Sequence, residues 1–113
     1  MNFLRKIPGT TYYACRKGNI YNQKRKQLIP FFDSHGYLQV SIYKEGKKKN
    51  SLVHRLVAKT FIENPKGLPQ INHKDLNKEN NAMDNLEWCD ARYNIQHYHL
   101  TRMRIKGQLF FFS

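Results

Sequence analysis

The stretch Ile71–Asn81 reads INHKDLNKENN and combines one histidine, four asparagines and two lysines with almost no apolar residues. Two further asparagines, Asn85 and Asn94, follow it. A neutral imidazole accepts a proton from water near pH 7, and an amide oxygen can orient that imidazole or bind a hard cation such as Mg²⁺. Such a cation stabilises negative charge on a scissile phosphate. His73, Asn85 and Asn94 therefore suit metal-assisted hydrolysis of a phosphodiester if the fold brings them together.

Two short strands and a helix would bring these side chains together. We predict strands at Gln70–His73 and Leu86–Trp88, joined by a polar loop that is too long for a tight hairpin. Asp90 stands where an N-cap belongs, before a helix over Ala91–Met103. The histidine then ends the first strand, one asparagine opens the second strand, and the other asparagine lies one turn into the helix.

The first fifty residues predict a small, twisted antiparallel sheet. Tyr37–Tyr43 is the clearest strand, because its apolar and polar side chains alternate. Leu28–Phe32 is interrupted by Pro30, which limits it to an edge strand. The segment Lys44–Lys49, KEGKKK, is expected to form a basic hairpin turn.

An amphipathic helix is expected to follow and to pack onto this sheet. Ser51 is the expected N-cap, Asn64-Pro65 ends the element, and His54 and Arg55 lie on the polar side. A hydrogen-bonded or surface histidine is the alternative to a catalytic role for His54. The fold class is therefore α+β: a small N-terminal antiparallel sheet with a packing helix, then a hairpin-helix unit. The apolar positions at helical spacing are Val53, Leu56, Val57 and Phe61.

The charge of the chain indicates an anionic partner. The 113 residues carry a net charge of +12, with a pI near 9.9. Residues 1–62 hold thirteen Lys/Arg and two acids, giving +11, whereas residues 63–113 hold seven and six, giving +1. Nucleic acid is the commonest polyanion that such a field attracts. Ribosomal or membrane-surface binding, or simply a solvated basic face, would give the same asymmetry.

The two cysteines argue against a structural zinc site. Cys15 and Cys89 are far apart and form no CxxC pair, so they cannot supply the four ligands of a closed zinc site. Two cysteines without a signal peptide suggest buried thiols in a reducing cytoplasm. No apolar run approaches the roughly 18 residues of a membrane span, so we expect a soluble protein with no membrane partner.

Several blocks of the sequence together resemble the HNH endonucleases of the phage and intron-encoded homing type. The blocks are VHRLVA, FIENP, INHKDLNKENN, NLEW and the N-x-x-H from Asn94 to His97. The resemblance implies a ββα-metal nuclease unit at residues 53–103. It implies a small β-rich DNA-binding module at residues 1–52, and leaves residues 104–113 as a short tail. If the gene is phage-encoded, the expected location is the cytoplasm of a bacterial host.

The resemblance also implies roles for individual residues. His73 would be the general base that activates the attacking water, and Asn85 would hold the loop and the imidazole in place. Asn72 and Asn94 would be the metal ligands. Leu86 and Trp88 are expected to belong to the core. Secondary candidates for the site are His54, Asp75 and His97, and Asn77 and Asn81 would organise the loop.

The implied metal site contains amides where a carboxylate could stand. Because neither Asn72 nor Asn94 carries charge, we expect weak Mg²⁺ binding without DNA, and strong cooperativity between metal and DNA. Entry of Glu87 or Asp90 into the site would strengthen metal binding. The expected cofactor is Mg²⁺, with Mn²⁺ as the alternative, and no small-molecule cofactor is expected.

Double-stranded DNA is the expected partner of the basic half. Two basic clusters, each expected on a turn, would bind phosphates, and the polar face of Tyr37–Tyr43 could read bases in the major groove. Arg55, Lys74 and Lys78 complete the candidate set. The phosphate-binding clusters are Lys24, Arg25, Lys26 and Lys47, Lys48, Lys49, and the base-reading candidates are Gln39, Ser41 and Tyr43.

Two other functional classes compete with the nuclease. A DNA-binding regulator that kept this scaffold but lost cleavage has the same charge asymmetry, and only activity separates the two. An RNA- or ribosome-associated basic protein explains the charge but not the spacing of His73, Asn85 and Asn94. The small nuclease is expected to be a monomer that nicks one strand, or a weak dimer through the apolar LFFF near the C-terminus.

Overall fold

The computed structural model describes residues 3–92 and residue 100. In these residues the expected α+β architecture is confirmed, although the N-terminal strands form two three-stranded antiparallel sheets rather than one. A helix and a two-stranded hairpin follow the sheets. The first sheet is β1 (Arg5–Lys6), β2 (Tyr13–Ala14) and β3 (Ile20–Tyr21), and the second is β4 (Phe31–Phe32), β5 (Leu38–Lys44) and β6 (Lys47–Leu52). The helix is α1 (Val53–Phe61), and the hairpin is β7 (Gln70–His73) and β8 (Leu86–Cys89).

The second sheet is built around β5, which pairs with β4 on one side and β6 on the other. Alternation along β5 buries Val40 and Ile42 in the core, as the sequence pattern predicts. The predicted hairpin turn within Lys44–Lys49 is confirmed, but it is shorter than expected. The connection is only Glu45-Gly46, whose positive φ angles of 54° and 77° give the tight turn that joins twisted hairpin strands. The three lysines that follow therefore belong to β6.

Helix α1 continues directly from β6. Leu52 is both the last residue of the strand, paired with Gln39, and the N-cap of the helix, with no side-chain capping bond. The prediction of Ser51 as N-cap was wrong, because Ser51 still pairs with Val40 in the sheet. The helix ends as expected before Asn64.

One hydrophobic core joins the sheets, the helix and the hairpin. Its buried members include Ile20 from β3, Val40 from β5, Val57 from α1 and Leu86 from β8. Because α1 contacts both the strands before it and the hairpin after it, its buried surface is wider than the spacing of apolar residues predicts. His54 is consequently buried, at 6% exposure, and its predicted place on the polar side of the helix was wrong.

The hairpin matches the two strands expected around the polar loop. β7 and β8 are antiparallel, with Asn72 opposite Glu87 and His73 opposite Leu86. The polar loop (residues 74–82) ends in a 3₁₀ turn at Met83–Asn85. The core assignment of Leu86 and Trp88 is confirmed, since the first is buried and the indole packs against the core. The Trp88 Nε1–H also donates to the Ile62 carbonyl at 3.0 Å.

The residues after β8 are described only in part. Ala91 and Arg92 are helical, as expected, but most of the predicted helix lies outside the described residues. Asn94, His97 and the C-terminal tail with its LFFF segment fall there as well. No helix in residues 3–92 or at residue 100 is long and apolar enough to cross a membrane.

Candidate active site

His73 stands at the end of β7 with its imidazole held by the polar loop. The residue is 6% exposed, and its Nε2 lies 2.8 Å from Oδ1 of Asn81. An amide oxygen can only accept a hydrogen bond, so Nε2 carries the proton and donates it to this bond. The other ring nitrogen, Nδ1, then has the free lone pair that a general base needs.

Two other rings pack around this imidazole. The centroid of the His54 ring lies 5.0 Å from that of His73, with the rings nearly perpendicular. The Tyr37 ring lies 5.1 Å from His54 and 5.9 Å from His73. The three rings come from α1, β7 and the segment before β5, so the site is assembled where the helix meets both the second sheet and the hairpin.

Both histidines favour the neutral form. Burial lowers the pKa of His73 from its ordinary value, and the nearby Lys78 adds to this effect against the opposing influence of Asn81 and Asp75. Burial lowers the pKa of His54 to about 4, helped by His73 and Arg55. His54 Nδ1 is buried and has no hydrogen-bond partner among the described residues, so a proton placed there would gain no acceptor. Both rings are therefore uncharged at neutral pH.

Asp75 organises the polar loop from its first turn. Its Oδ1 accepts from Asn85 Nδ2 at 2.8 Å and from the Asn77 backbone N–H at 2.8 Å, while its Oδ2 accepts from Asn80 Nδ2 at 2.9 Å. Burial acts to raise the pKa of Asp75, but these hydrogen bonds outweigh it and hold the pKa below its ordinary value. The carboxylate thus stays ionised and ties both ends of the loop together.

Asn85 is placed on the loop and not on the imidazole. Its side chain donates to Asp75 and to the Asn80 carbonyl, and its Oδ1 accepts from the Asp75 backbone N–H at 3.1 Å. The resemblance implied that Asn85 would hold both the loop and the imidazole ring. In the structure Asn85 holds the loop. The hydrogen-bond partner of the ring is Asn81, which we had predicted only as a residue that organises the loop.

The turn between β2 and β3 supports the loop from behind. The Met83 backbone N–H donates to the Arg16 carbonyl at 2.8 Å. Gly18, with φ +97°, packs so closely that an added Cβ would lie 2.5 Å from the carbonyl carbon and oxygen of Asn81. Only glycine fits this backbone conformation and this contact. The position of Asn81, and with it the His73 ring, therefore depends on a turn about sixty residues earlier in the chain.

The candidate metal ligands offer hard oxygen donors. Asn72 is buried at 3% exposure on the strand beside His73, and its Nδ2 donates to Glu87 Oε1 at 2.9 Å. No three His, Cys, Asp or Glu side chains within the described part of the chain are grouped so as to hold a metal ion. An amide oxygen beside a carboxylate suits Mg²⁺ or Mn²⁺. The residues present thus fit a hard divalent cation completed by oxygen ligands from elsewhere.

The first basic cluster is displayed by a tight turn after β3. The Asn22 side-chain oxygen accepts from the backbone N–H groups of Lys24 and Lys26 at 2.9 and 3.0 Å. Arg25 adopts φ +63° at the tip, and its guanidinium lies 5.6 Å from the centre of the Tyr13 ring. All three basic side chains are exposed, as phosphate contacts require.

The second basic cluster lies on a strand and not on the predicted turn, so its members face opposite sides. Lys48 is opposite Tyr43 and shares the face of Gln39 and Ser41, whereas Lys47 and Lys49 point to the other side. Ser41 Oγ donates to Asn50 Oδ1 at 2.9 Å on the same polar face. This polar face therefore holds Gln39, Ser41, Tyr43 and Lys48 together.

The three remaining basic candidates lie near the site. Arg55 donates weakly to the Pro69 carbonyl at 3.4 Å and lies over the Trp88 ring. Lys78 Nζ donates to the His35 carbonyl at 3.0 Å and lies 4.8 Å from the centre of the Tyr37 ring. Lys74 is exposed directly after His73. Lys78 therefore fastens the polar loop to the second sheet, in addition to any contact with a phosphate.

Known proteins are similar to this chain in both sequence and fold. The chain is 43% identical over 95 residues to an uncharacterized HNH endonuclease of Acanthamoeba polyphaga mimivirus, covering 83% of this chain and 29% of that protein. It is 36% identical over 86 residues to DNA endonuclease I-HmuI of Bacillus phage SP01, covering 75% of this chain and 49% of that protein. A solved structure described as DNA binding and cleavage by the HNH homing endonuclease I-HmuI matches with a TM-score of 0.75 and 32% identity. That match covers 95% of this chain and 60% of the solved chain.

The chain is related in sequence and in fold to HNH endonucleases. Most of its length takes part in the match, including the two N-terminal sheets. The chain spans about half or less of the length of these curated relatives. No family model matches it. The resemblance to HNH homing endonucleases that the blocks around His73 predict is confirmed.

Sequence reasoning missed three features of the site. The acceptor for the imidazole, Asn81, is one of four asparagines in the stretch Ile71–Asn81, and nothing in their spacing singles it out. The contact of Gly18 joins residues that are distant in sequence. One signal could have indicated that His54 is buried beside His73, since both histidines lie in blocks that carry the family resemblance. Helical periodicity instead predicted that His54 lies on the polar side of α1.

Proposed function

We propose that this HNH protein is a divalent-metal-dependent DNA endonuclease that hydrolyses a phosphodiester bond with water activated by His73. The observation that carries the proposal is the hydrogen bond from His73 Nε2 to Asn81, which leaves Nδ1 unprotonated on a ring with a lowered pKa. A base of this kind is competent at neutral pH without further adjustment. The name of one relative, DNA endonuclease I-HmuI, supports the same reaction.

The residues of the chain would divide the reaction among themselves. His73 Nδ1 takes a proton from the attacking water, and Asn81 Oδ1 stabilises the imidazolium that forms by accepting from Nε2. Asp75 and Asn85 keep the polar loop in the conformation that presents Asn81. His54 and Tyr37 pack against the ring and limit its rotation.

Asn72 and Asn94 would hold the metal, Mg²⁺ in the first place and Mn²⁺ as the alternative. When bound, the cation would stabilise the charge that develops on the scissile phosphate and the leaving oxygen. Asn72 is held at the end of β7, next to the base, by its hydrogen bond to Glu87.

Double-stranded DNA is the substrate that the charge distribution favours. The exposed cluster at residues 24–26 would bind backbone phosphates, and the polar face of the second sheet would approach a groove. With one His73 site in each chain, a monomer would cut one strand at a time. Cleavage of both strands would then need two binding events.

The test is cleavage of a supercoiled plasmid in Mg²⁺ or Mn²⁺ by the wild type and by His73→Ala. Loss of the general base should slow formation of open circles by about 10²–10⁴-fold, with DNA affinity retained. Equal cleavage by both proteins would place the active site elsewhere. Tight, salt-sensitive binding without cleavage by either protein would favour the DNA-binding regulator instead.

A further inference from the structure

The strand pairing places a carboxylate directly on the candidate metal ligand Asn72. Asn72 and Glu87 are cross-strand partners in the β7–β8 hairpin, so their side chains emerge on the same face of it. Asn72 Nδ2 donates to Glu87 Oε1 at 2.9 Å, and Asn72 is almost fully buried. Asn72, which carries no charge, is therefore in contact with Glu87, which is a carboxylate.

The chemistry of this pair fixes the orientation of the amide. A carboxylate oxygen only accepts, so Asn72 must turn its NH₂ group towards Glu87. The amide oxygen, attached to the same carbon, then points away from Glu87. A hydrogen bond to an ionised acceptor is also stronger than a neutral one, and it draws electron density towards the amide oxygen.

We propose that Asn72 and Glu87 act as one cation-binding unit, in which Asn72 Oδ1 is the ligand and Glu87 is the positioning residue that supplies negative charge. The inference rests on the proposed function and adds a protein-borne charge beside the amide ligand Asn72. Partners that hold a metal ligand typically affect affinity or activity by about 10–100-fold. Glu87 thus does the electrostatic work that a carboxylate at position 72 would do itself.

The experiment measures Mn²⁺ binding by calorimetry to the full chain saturated with duplex DNA, in the His73→Ala background, which slows cleavage during the titration. Glu87→Gln is the informative variant, because the oxygen of glutamine still accepts from Asn72 while the charge is lost. We expect Mn²⁺ affinity to fall by about 10–100-fold. Glu45→Gln, in the turn between β5 and β6, removes the same charge elsewhere and should leave Mn²⁺ affinity unchanged.

A second variant separates charge supply from a merely structural role. Asn72→Asp combined with Glu87→Gln moves the negative charge across the pair, and the glutamine NH₂ group can donate to the new carboxylate. Mn²⁺ affinity should return to within about threefold of the parent protein, a difference of less than 1 kcal/mol. Thermal unfolding of each variant without metal would establish that it is folded.

The outcomes distinguish this inference from the proposed function. Unchanged Mn²⁺ affinity in Glu87→Gln would overturn the inference, and so would a folded double variant that does not recover affinity. Neither result would affect plasmid cleavage by the wild type, so the proposed function would stand. Absence of Mn²⁺ binding to the DNA complex, together with absence of cleavage by the wild type, would overturn both.

Discussion

The imidazole of His73 donates its Nε2 proton to Asn81 Oδ1 across 2.8 Å, and this bond selects the tautomer with Nδ1 free. Nothing in the ring itself prefers this tautomer strongly enough to enforce it, so the acceptor on the loop decides which nitrogen can act as a base. Asn81 is buried at 3% exposure, which keeps competing water away from the bond.

Two substitutions at Asn81 should therefore have opposite consequences. Asn81→Leu removes the acceptor at similar size and should lower the turnover rate by about 10²-fold, within the range attributed to a general base. Asn81→Asp keeps an acceptor and adds a negative charge that favours the imidazolium form of His73. Activity should therefore be retained at pH 8. As the pH falls, this variant should lose activity at a higher pH than the wild type does. Single-turnover cleavage rates from pH 5 to 8 would measure both effects, and equal profiles for the three proteins would contradict the assignment.

The pH dependence of the wild type should report the lowered pKa of His73. Since the neutral ring is the active form, the rate should stay level from pH 8 to about pH 6.5, the ordinary pKa of histidine. Below the folded pKa it should fall tenfold per pH unit. The measurement is the single-turnover rate at saturating DNA and metal. A midpoint above pH 7 would mean that another group, or a metal-bound one, controls the rate.

His54 should make the fold sensitive to acid. Its folded pKa of about 4 lies below the unfolded value of 6.5, so the unfolded chain binds the proton more readily between these limits. The stabilisation is complete above pH 6.5 and is lost as the pH falls towards 4, by about 3 kcal/mol in total. In His54→Phe, the decrease in unfolding free energy from pH 7 to pH 5 should be smaller than in the wild type by about 2 kcal/mol. Denaturant titrations at the two pH values measure this difference, and identical decreases in both proteins would contradict it.

Gly18 and Gly46 offer a matched pair for testing the support of the loop. Both have positive φ, but a Cβ at Gly18 would collide with the backbone of Asn81, whereas one at Gly46 would meet nothing within 4 Å. Gly46→Ala should cost about 1 kcal/mol of stability from backbone strain alone. Gly18→Ala should cost more than this and should also reduce cleavage, because it displaces the partner of His73. The measurements are the unfolding free energy and the cleavage rate of each variant. Equal effects of the two substitutions would contradict the proposal that Gly18 supports the polar loop.

Lys47 and Lys48 test which face of the second sheet meets DNA. They are neighbours on β6 but point to opposite faces, and only Lys48 shares the polar face with Gln39, Ser41 and Tyr43. Lys48→Gln should reduce the slope of log affinity against log salt by about 1, whereas Lys47→Gln should change it less. Fluorescence anisotropy of labelled duplexes, in the His73→Ala background, gives these slopes. The reverse ranking would assign DNA contact to the opposite face.

The elements of the fold could be predicted where a local pattern determines them. β5 follows from strict alternation, β7 and β8 from the two short segments that flank a polar loop, and the end of α1 from Asn64-Pro65. The burial of His54 could not be predicted from helical spacing, because it depends on α1 being covered from two directions. The start of the helix was misplaced for a related reason: Ser51 is a good cap in isolation, but pairing with Val40 keeps it in the sheet.

The candidate site could be predicted in its residue types but not in its pairings. The residue types around His73 predict imidazole and amide chemistry. The sequence does not indicate which of the asparagines there contacts the imidazole, because that depends on how the loop folds. The hydrogen bonds that Asn80 and Asn85 donate to Asp75 fix that loop, and only then does Asn81 become the residue that faces the ring. The pair of Asn72 and Glu87 likewise depends on strand register, which a sequence of two four-residue strands does not specify.

The contact between the β2–β3 turn and the polar loop also limits how this chain can recombine with its relatives. A chimera that took its first sheets from one parent and its hairpin from another would bring together a turn and a loop that had never been selected to fit. Any larger residue at the position of Gly18 would then press on the backbone that carries Asn81. Exchange of the N-terminal half should therefore succeed mainly between parents that share this glycine, or when the polar loop is transferred along with it.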